Sequence, residues 1–248
     1  MIERHPSLTE QVKANLKARI IKGDFADGKI PAENELATEL RVSRTTVRDA
    51  LSRLEHEGTI FRKQGAGTFV NAPGLQIKSR LEEIWSYEDV LLDHGYTPSV
   101  KMLSVATIAA EASHAAALEL VAGEPLVVMR KLFLENSQPV ILTVNRIPER
   151  YLRLPATKDS TEPLFRFLEA HGDRHLAYYL SEIEPVVLDG AKADLLGVGA
   201  GTAAIAFQEI GFDRDNTPVV RSTSYFRDDL LRFRMIRRSA GVSDTTKN

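Results

Sequence analysis

The sequence predicts an α+β chain of two domains: a winged helix-turn-helix, then a mostly antiparallel sheet flanked by helices. Three observations carry that prediction. Residues 31–58 hold two short apolar-striped helices joined by a tight turn, and residues 59–70 read as a hairpin with glycines at its tip. Residues 118–139 are echoed by residues 196–218 as a helix, a glycine turn, a strand, a polar turn, a proline and a second strand. The chain of 248 residues divides accordingly into a domain over 1–72, a linker over 73–78 and a larger domain over 79–240.

In the first domain, LTEQVKANLKARIIKG repeats Leu8, Val12, Leu16 and Ile20 every four residues and stops at Gly23, which predicts a supporting helix. PAENELATEL, residues 31–40, is a second short helix with Leu36, Ala37 and Leu40 inward. Only Arg41 and Val42 separate it from Ser43, an N-cap for a third helix that Gly58 closes. Val47, Leu51 and Leu54 form the apolar stripe of that third helix. Arg44, Thr45, Thr46 and Arg48 lie off the stripe, and the two arginines are one turn apart. Guanidinium forks suit guanine edges and phosphate oxygens, and threonines suit phosphates or a thymine methyl, although a charged face can also be merely solvated. TIFRKQGAGTFV, residues 59–70, supplies two strands about Gly65-Ala66-Gly67, where a backbone free of side chains can approach a phosphate or a minor groove. The residues read as contacting DNA are Ser43, Arg44, Thr45, Thr46, Arg48, Lys63, Gly65, Gly67 and Thr68.

The pattern changes after residues 71–78, NAPGLQIK. Ser86 caps a helix that carries Asp89 three residues on and ends at Gly95, ahead of Pro98. An alternating stretch over 100–107 precedes an alanine-rich helix over 109–120. Strands pair over 126–134 and 140–147 around residues 135–138, and over 203–213 and 219–227 around residues 214–217. Further strands are expected over 176–187 and 231–237. The repeat sets Leu118, Gly123, Met129 and Pro139 against Leu196, Gly201, Phe207 and Pro218, with an offset of 78 before the turn and 79 after it. A duplicated unit of this kind builds one sheet with a pseudo-symmetric cleft, where small ligands bind.

Composition bounds the rest. Residues 1–72 carry 12 Lys+Arg against 10 Asp+Glu, net +2, and the remainder 20 against 24, net −4, matching the overall −2. Basicity is therefore local, and the motif rather than the charge must carry the reading of DNA. With no cysteine, disulfides and thiolate metal sites are excluded, in keeping with a cytoplasmic location. The charged start, MIERHPSLTE, does not read as a signal peptide, and the uncharged run over 195–208 is too short to span a bilayer. Gly197, Gly199 and Gly201 follow a helix and precede a strand, the reverse of a dinucleotide-binding turn. Gly172 breaks the helix that would align His171 with His175 as ligands, and Glu182 with Glu184 share only a strand face. No catalytic set, metal site or cofactor is expected.

The first domain resembles the GntR family of bacterial transcription regulators. The resemblance rests on Gly23, Gly28, Pro31, Glu33, Glu35, Leu36 and Ala37, then VSRTTVR with Ala50, Leu51, Leu54 and Gly58, and finally QGAGTFV. Ala32 stands where the family usually has a capping serine, which predicts a slightly weaker helix start, and Asn34 where many members have an arginine that contacts DNA. The second domain resembles the UTRA effector-binding domain of the HutC-type branch, whose fold is like that of chorismate lyase, through SYEDVLLDHGYTPS, MRKLFLENSQPV, PLFRFLEAHG and NTPVVRSTSYFRDDLLRF. The resemblance implies a ligand-responsive regulator, a repressor that binds an inverted-repeat DNA operator as a homodimer. The alternative is a lyase-like enzyme domain fused to a DNA anchor.

For the effector, the resemblance implies an anion grip made of a helix N-terminus, an Arg-x-Arg strand and a serine, with a carboxylate and a tyrosine on a later strand. Ser86, Tyr87 and Arg130 are read as retained, and Arg221 and Tyr225 as further lining residues. Leu132, Pro163, Val220 and Phe226 are read at positions of lost polar groups. The expected effector is thus smaller or more apolar than a phosphosugar, with at most one carboxylate or phosphate.

Overall fold

The structure, a computed structural model, describes residues 7–75, 81, 84–153, 155, 157, 159–227, 230, 231 and 233. The chain divides between Arg80 and Leu81 into two compact units, the second extending to Phe233. In the first, helix α1 (Leu8–Lys22) starts at Ser7, whose hydroxyl accepts the Glu10 N–H, and stops at Gly23 in the left-handed region. Helices α2 (Glu33–Leu40) and α3 (Arg44–His56) follow, and the Ser43 hydroxyl accepts the Thr46 N–H to cap α3. Such short helices are marginal alone. Val12, Leu16, Ile20, Leu36, Val47, Leu51 and Leu54 hold them around one core, each large side chain contributing about 1.5–3 kcal/mol on burial.

Strands β2 (Ile60–Lys63) and β3 (Gly67–Val70) form the wing. A two-residue strand, β1 (Lys29–Ile30), joins it to give the order β1-β3-β2, and is too short to leave an alternating signal in the sequence. Residues read as the start of a linker form a helical turn, α4 (Ala72–Leu75). The Asn71 amide donates to the Gly58 carbonyl at 2.8 Å, and Gly74 packs so closely that a Cβ there would lie 1.9 Å from the same oxygen. With Leu75 against the core, this turn belongs to the first unit rather than to a free connection.

The second unit contains α5 (Tyr87–Asp93), β4 (Pro98–Ala109), α6 (Ala112–Ala117), β5 (Pro125–Glu135) and β6 (Gln138–Pro148). It continues with α7 (Leu164–His171), β7 (Tyr178–Val187), α8 (Gly190–Leu196), β8 (Ala203–Phe212) and β9 (Pro218–Arg227). All six strands pair antiparallel in the order β4-β5-β6-β9-β8-β7. The duplication is therefore longer than the sequence reading, since α5 and β4 precede the first copy as α7 and β7 precede the second. Equivalent backbone bonds mark it: Gly123 N–H donates to Ala110 at 2.9 Å and Gly201 N–H to Leu188 at 3.0 Å. The expected alanine-rich helix is shorter at both ends, because Ala109 still pairs with Pro125 and Leu118 already caps α6.

Helices α5 and α7 cover one face of the sheet, through Val90 and Leu91 on Phe133 and Phe226, and through Phe167 and Leu168 on Met129 and Val220. Helices α6 and α8 lie on the other, against Leu126, Leu132, Leu142 and Ala204. The strand expected over 231–237 lies outside the described residues, except Leu231 and Phe233. No helix among the described residues is long and apolar enough to cross a membrane.

Candidate nucleic-acid interface and ligand cavity

Helix α3 presents Arg44 and Arg48 side by side, with side chains 58% and 53% exposed. Both are oriented by one carboxylate at the start of α2. Arg44 Nε donates to Glu33 Oε2 at 3.0 Å and Arg48 Nη2 to the same oxygen at 3.2 Å. Burial pushes the Glu33 carboxyl up, but Arg48 and Arg44 outweigh it and hold the group below the usual carboxylate value. Glu33 therefore stays charged and sets the pitch of the two cationic forks, a role the sequence pattern did not reveal. Thr45 is exposed on the same helix. The Ser43 and Thr46 hydroxyls instead bond each other at 2.8 Å, so they serve the cap first.

At the wing, Lys63, Gly65 and Gly67 are exposed and Thr68 is half-buried opposite Arg62. Gly65 (φ 74°) and Gly67 (φ 119°) both adopt conformations that favour glycine, and a Cβ on Gly67 would meet Lys29 Cε at 3.3 Å. Arg62 reaches back to Glu55 at 3.5 Å. On α2, Ala32 has no oxygen to cap the helix. Glu35 nevertheless accepts the Ala32 N–H at 2.9 Å, so the capping box is half-built.

In the second unit a cavity of about 450 Å³ lies between the sheet and the starts of α5 and α7. Its floor runs across five strands: Lys131 on β5, Thr143 and Asn145 on β6, Ser222 on β9, Glu209 on β8 and Ser181 on β7. Its wall is aromatic. Tyr87 packs edge-on against Phe133 at 5.1 Å and Phe226 at 5.5 Å between ring centres, beside Trp85. The Tyr87 hydroxyl donates to Ser224 Oγ at 2.7 Å, Tyr179 bonds Ser222, and Ser222 donates to Asn145 at 2.8 Å. Burial pushes both phenols up in pKa, so they remain donors.

Two groups on this floor carry the charge. Lys131 is 2% exposed; its Nζ donates to the Glu162 carbonyl at 2.6 Å, and burial pushes it down to about 8 against the pull of Glu162 and Glu88. Glu209 accepts from Ser181 at 2.6 Å, and its own burial raises it. Thr143 Oγ1 and Glu88 Oε2 are buried and unbonded.

The structure places the sequence-predicted effector residues on both sides of the sheet. Ser86, capping α5 through the Asp89 N–H, and Tyr87 line the cavity. Arg130, Arg221 and Tyr225 do not. Arg221 donates to the Ser113 carbonyl and contacts His114 Nδ1 of α6, and Lys192 of α8 lies over the Tyr225 ring. Arg130 is exposed on that same face. Side chains alternate along a strand, so Arg130 and Leu132 face away from this cavity, which Lys131 and Phe133 line. Pro163, by contrast, lines the cavity, and Val220 and Phe226 belong to the cores on the cavity side. Among the described residues no set of three or more His, Cys, Asp or Glu is placed to hold a metal; His171 stacks on Phe167 and lies 3.4 Å from Glu162.

Comparison with known proteins agrees with this division. The sequence model described as the UTRA domain matches residues 93–232, and that described as bacterial regulatory proteins, gntR family, matches residues 8–70. The HTH-type transcriptional repressor NagR of Bacillus subtilis is 25% identical over 226 residues, covering 90% of this chain and 91% of the relative. The histidine utilization repressor of Pseudomonas putida is 30% identical over 159 residues, 64% of this chain and 58% of the relative. Among solved structures, the possible transcriptional regulator YydK of B. subtilis shares the fold with a TM-score of 0.75 at 16% identity, over 94% of this chain and 100% of that one. PhnF of Mycobacterium smegmatis does so with a TM-score of 0.59 at 24% identity, over 92% and 99%.

Proposed function

Because the chain belongs to the gntR family of bacterial regulatory proteins and carries a UTRA domain, we propose that it is a cytoplasmic transcription repressor that works without catalysis. It binds an inverted-repeat operator as a homodimer, and a small molecule in the cavity sets its operator affinity. The observation that carries the reading is the Glu33 clamp on Arg44 and Arg48, which presents two oriented guanidiniums on an exposed helix beside a glycine-tipped wing. Relatives named as repressors favour that sign of regulation. The cavity supports an effector that is anionic or partly apolar, since a buried lysine faces an aromatic wall.

The reading is tested with DNA from upstream of the chain's own gene. The protein should bind it in preference to a scrambled duplex, and Arg48→Ala should weaken that binding by roughly 1–3 kcal/mol if the fork reads a guanine. Glu33→Gln should lower the ratio of specific to nonspecific binding, because the forks lose their common anchor while the surface loses a negative charge. Equal affinity for the scrambled duplex would remove the assignment.

A further inference from the structure

The pseudo-symmetry of the second unit carries information about its ligand. Lys131 and Glu209 occupy equivalent positions in the two copies, separated by the repeat offset of 78 residues. Each is paired across its hairpin with an equivalent hydroxyl residue, Lys131 with Thr143 and Glu209 with Ser222. Both line the same cavity. The duplication has thus set a lysine and a glutamate at equivalent positions of one cradle.

Among the described residues neither end has a direct ion pair, and Lys131 feels only the longer-range pull of Glu162 and Glu88. The Lys131 Nζ bonds a backbone carbonyl, and Glu209 accepts from a serine hydroxyl. Buried charges are ordinarily paired, because desolvation without compensation is costly. Thr143 Oγ1, fully enclosed beside Lys131 and unbonded, is a second group awaiting a partner at that end. Glu88 stands there too, and its burial raises its pKa, which weakens its repulsion of an incoming anion. Between the ends run Asn145 and Ser222, already bonded to each other, so the middle of the floor is satisfied and the demand for partners is terminal.

We propose that the effector is a dipolar molecule, with a carboxylate or phosphate held by Lys131 and Thr143 and a cationic amine or amidine-type group held by Glu209. The inference rests on the reading of this cavity as the effector site. Three interstrand spacings separate β5 from β8, about 14 Å between backbones, so the two charges belong at opposite ends of the ligand rather than on one carbon. The cavity volume of about 450 Å³ is in the range of small-molecule sites. Its aromatic wall suits an apolar spacer.

The test uses ω-aminocarboxylates of increasing chain length, with the matched diacids and diamines, against the full chain by calorimetry and thermal shift. At the best length the aminocarboxylate should bind roughly tenfold or more tightly than either the diacid or the diamine, the worth of one charge-assisted hydrogen bond. Lys131→Met should erase its advantage over the diamine, and Glu209→Gln its advantage over the diacid. A diacid that binds as well as the aminocarboxylate, failure of every series to bind at millimolar concentration, or variants that leave the ranking unchanged would each overturn the inference. Operator binding is measured in parallel. Selective binding in the cavity without any DNA binding would leave this inference standing and remove the regulator reading instead.

Discussion

Lys131 shows what a single residue is worth when its place in a strand is known. In sequence it is one of two adjacent cations, and Arg130 is the more obvious ligand because a guanidinium is the better fork. Burial separates them, leaving Arg130 exposed on one face and Lys131 enclosed on the other. That enclosure has a thermodynamic signature. With its pKa lowered from 10.5 to about 8, the folded chain holds fewer protons than the unfolded chain between those values. Stability therefore falls as pH drops through that window, and the cost of the buried charge is fully present below about 8. The full shift corresponds to a cost on the order of 3 kcal/mol. Lys131→Met should raise the unfolding midpoint at neutral pH and flatten the dependence on pH between 8 and 10.5, while removing the response to an anionic ligand. Thermal unfolding of both proteins across that range decides it, and an unchanged midpoint would show that the lysine is not held as a buried cation. A gain in stability with a loss of response is the trade expected where a strained group serves binding.

At the scale of the element, the helix starts were legible because they are local. Ser43 and Ser86 each accept the N–H three residues on, and Gly23 takes the left-handed cap the chain needs to turn away. The hairpins were legible for the same reason, with turn residues at Asn136, Ser137 and Asn216 taking positive φ. Less visible was the face of each strand, because bulges between Met102 and Ser104 and between Phe133 and Leu134 break the alternation that would carry it. The helix start at Ala32 allows a direct test of local reasoning. Glu35 supplies one bond of the capping box, and the missing one needs only a hydroxyl at position 32. Ala32→Ser should stabilise the first unit by about 0.5–2 kcal/mol without changing what α3 presents. Denaturant unfolding would register it as a shifted midpoint with the same slope. No shift would mean that the Ala32 backbone does not hold a serine in the capping rotamer.

For the whole molecule, the two units were legible to different depths. The first is a run of local motifs whose spacing leaves one arrangement, so its helices and wing followed from the chain itself. The second depends on contacts between distant strands. The duplicated hairpins indicated one continuous sheet, but only the pairing of residues 141–146 with 221–226 places the symmetry at its centre and turns Lys131 and Glu209 toward a common space. The same logic of doubled units applies to the encounter with DNA. One module of this size, reading few base pairs with two arginines, has little margin over nonspecific phosphate binding, whereas two copies on a palindrome multiply their discrimination. The chain should therefore sediment at twice 27.6 kDa, and two copies should occupy one inverted repeat. Insertion of about 5 bp between the half-sites turns them to opposite sides of the duplex and should abolish tight binding, while insertion of about 10 bp should restore part of it. Binding that ignores both insertions, by a chain that sediments as a monomer, would show that each copy reads its half-site alone.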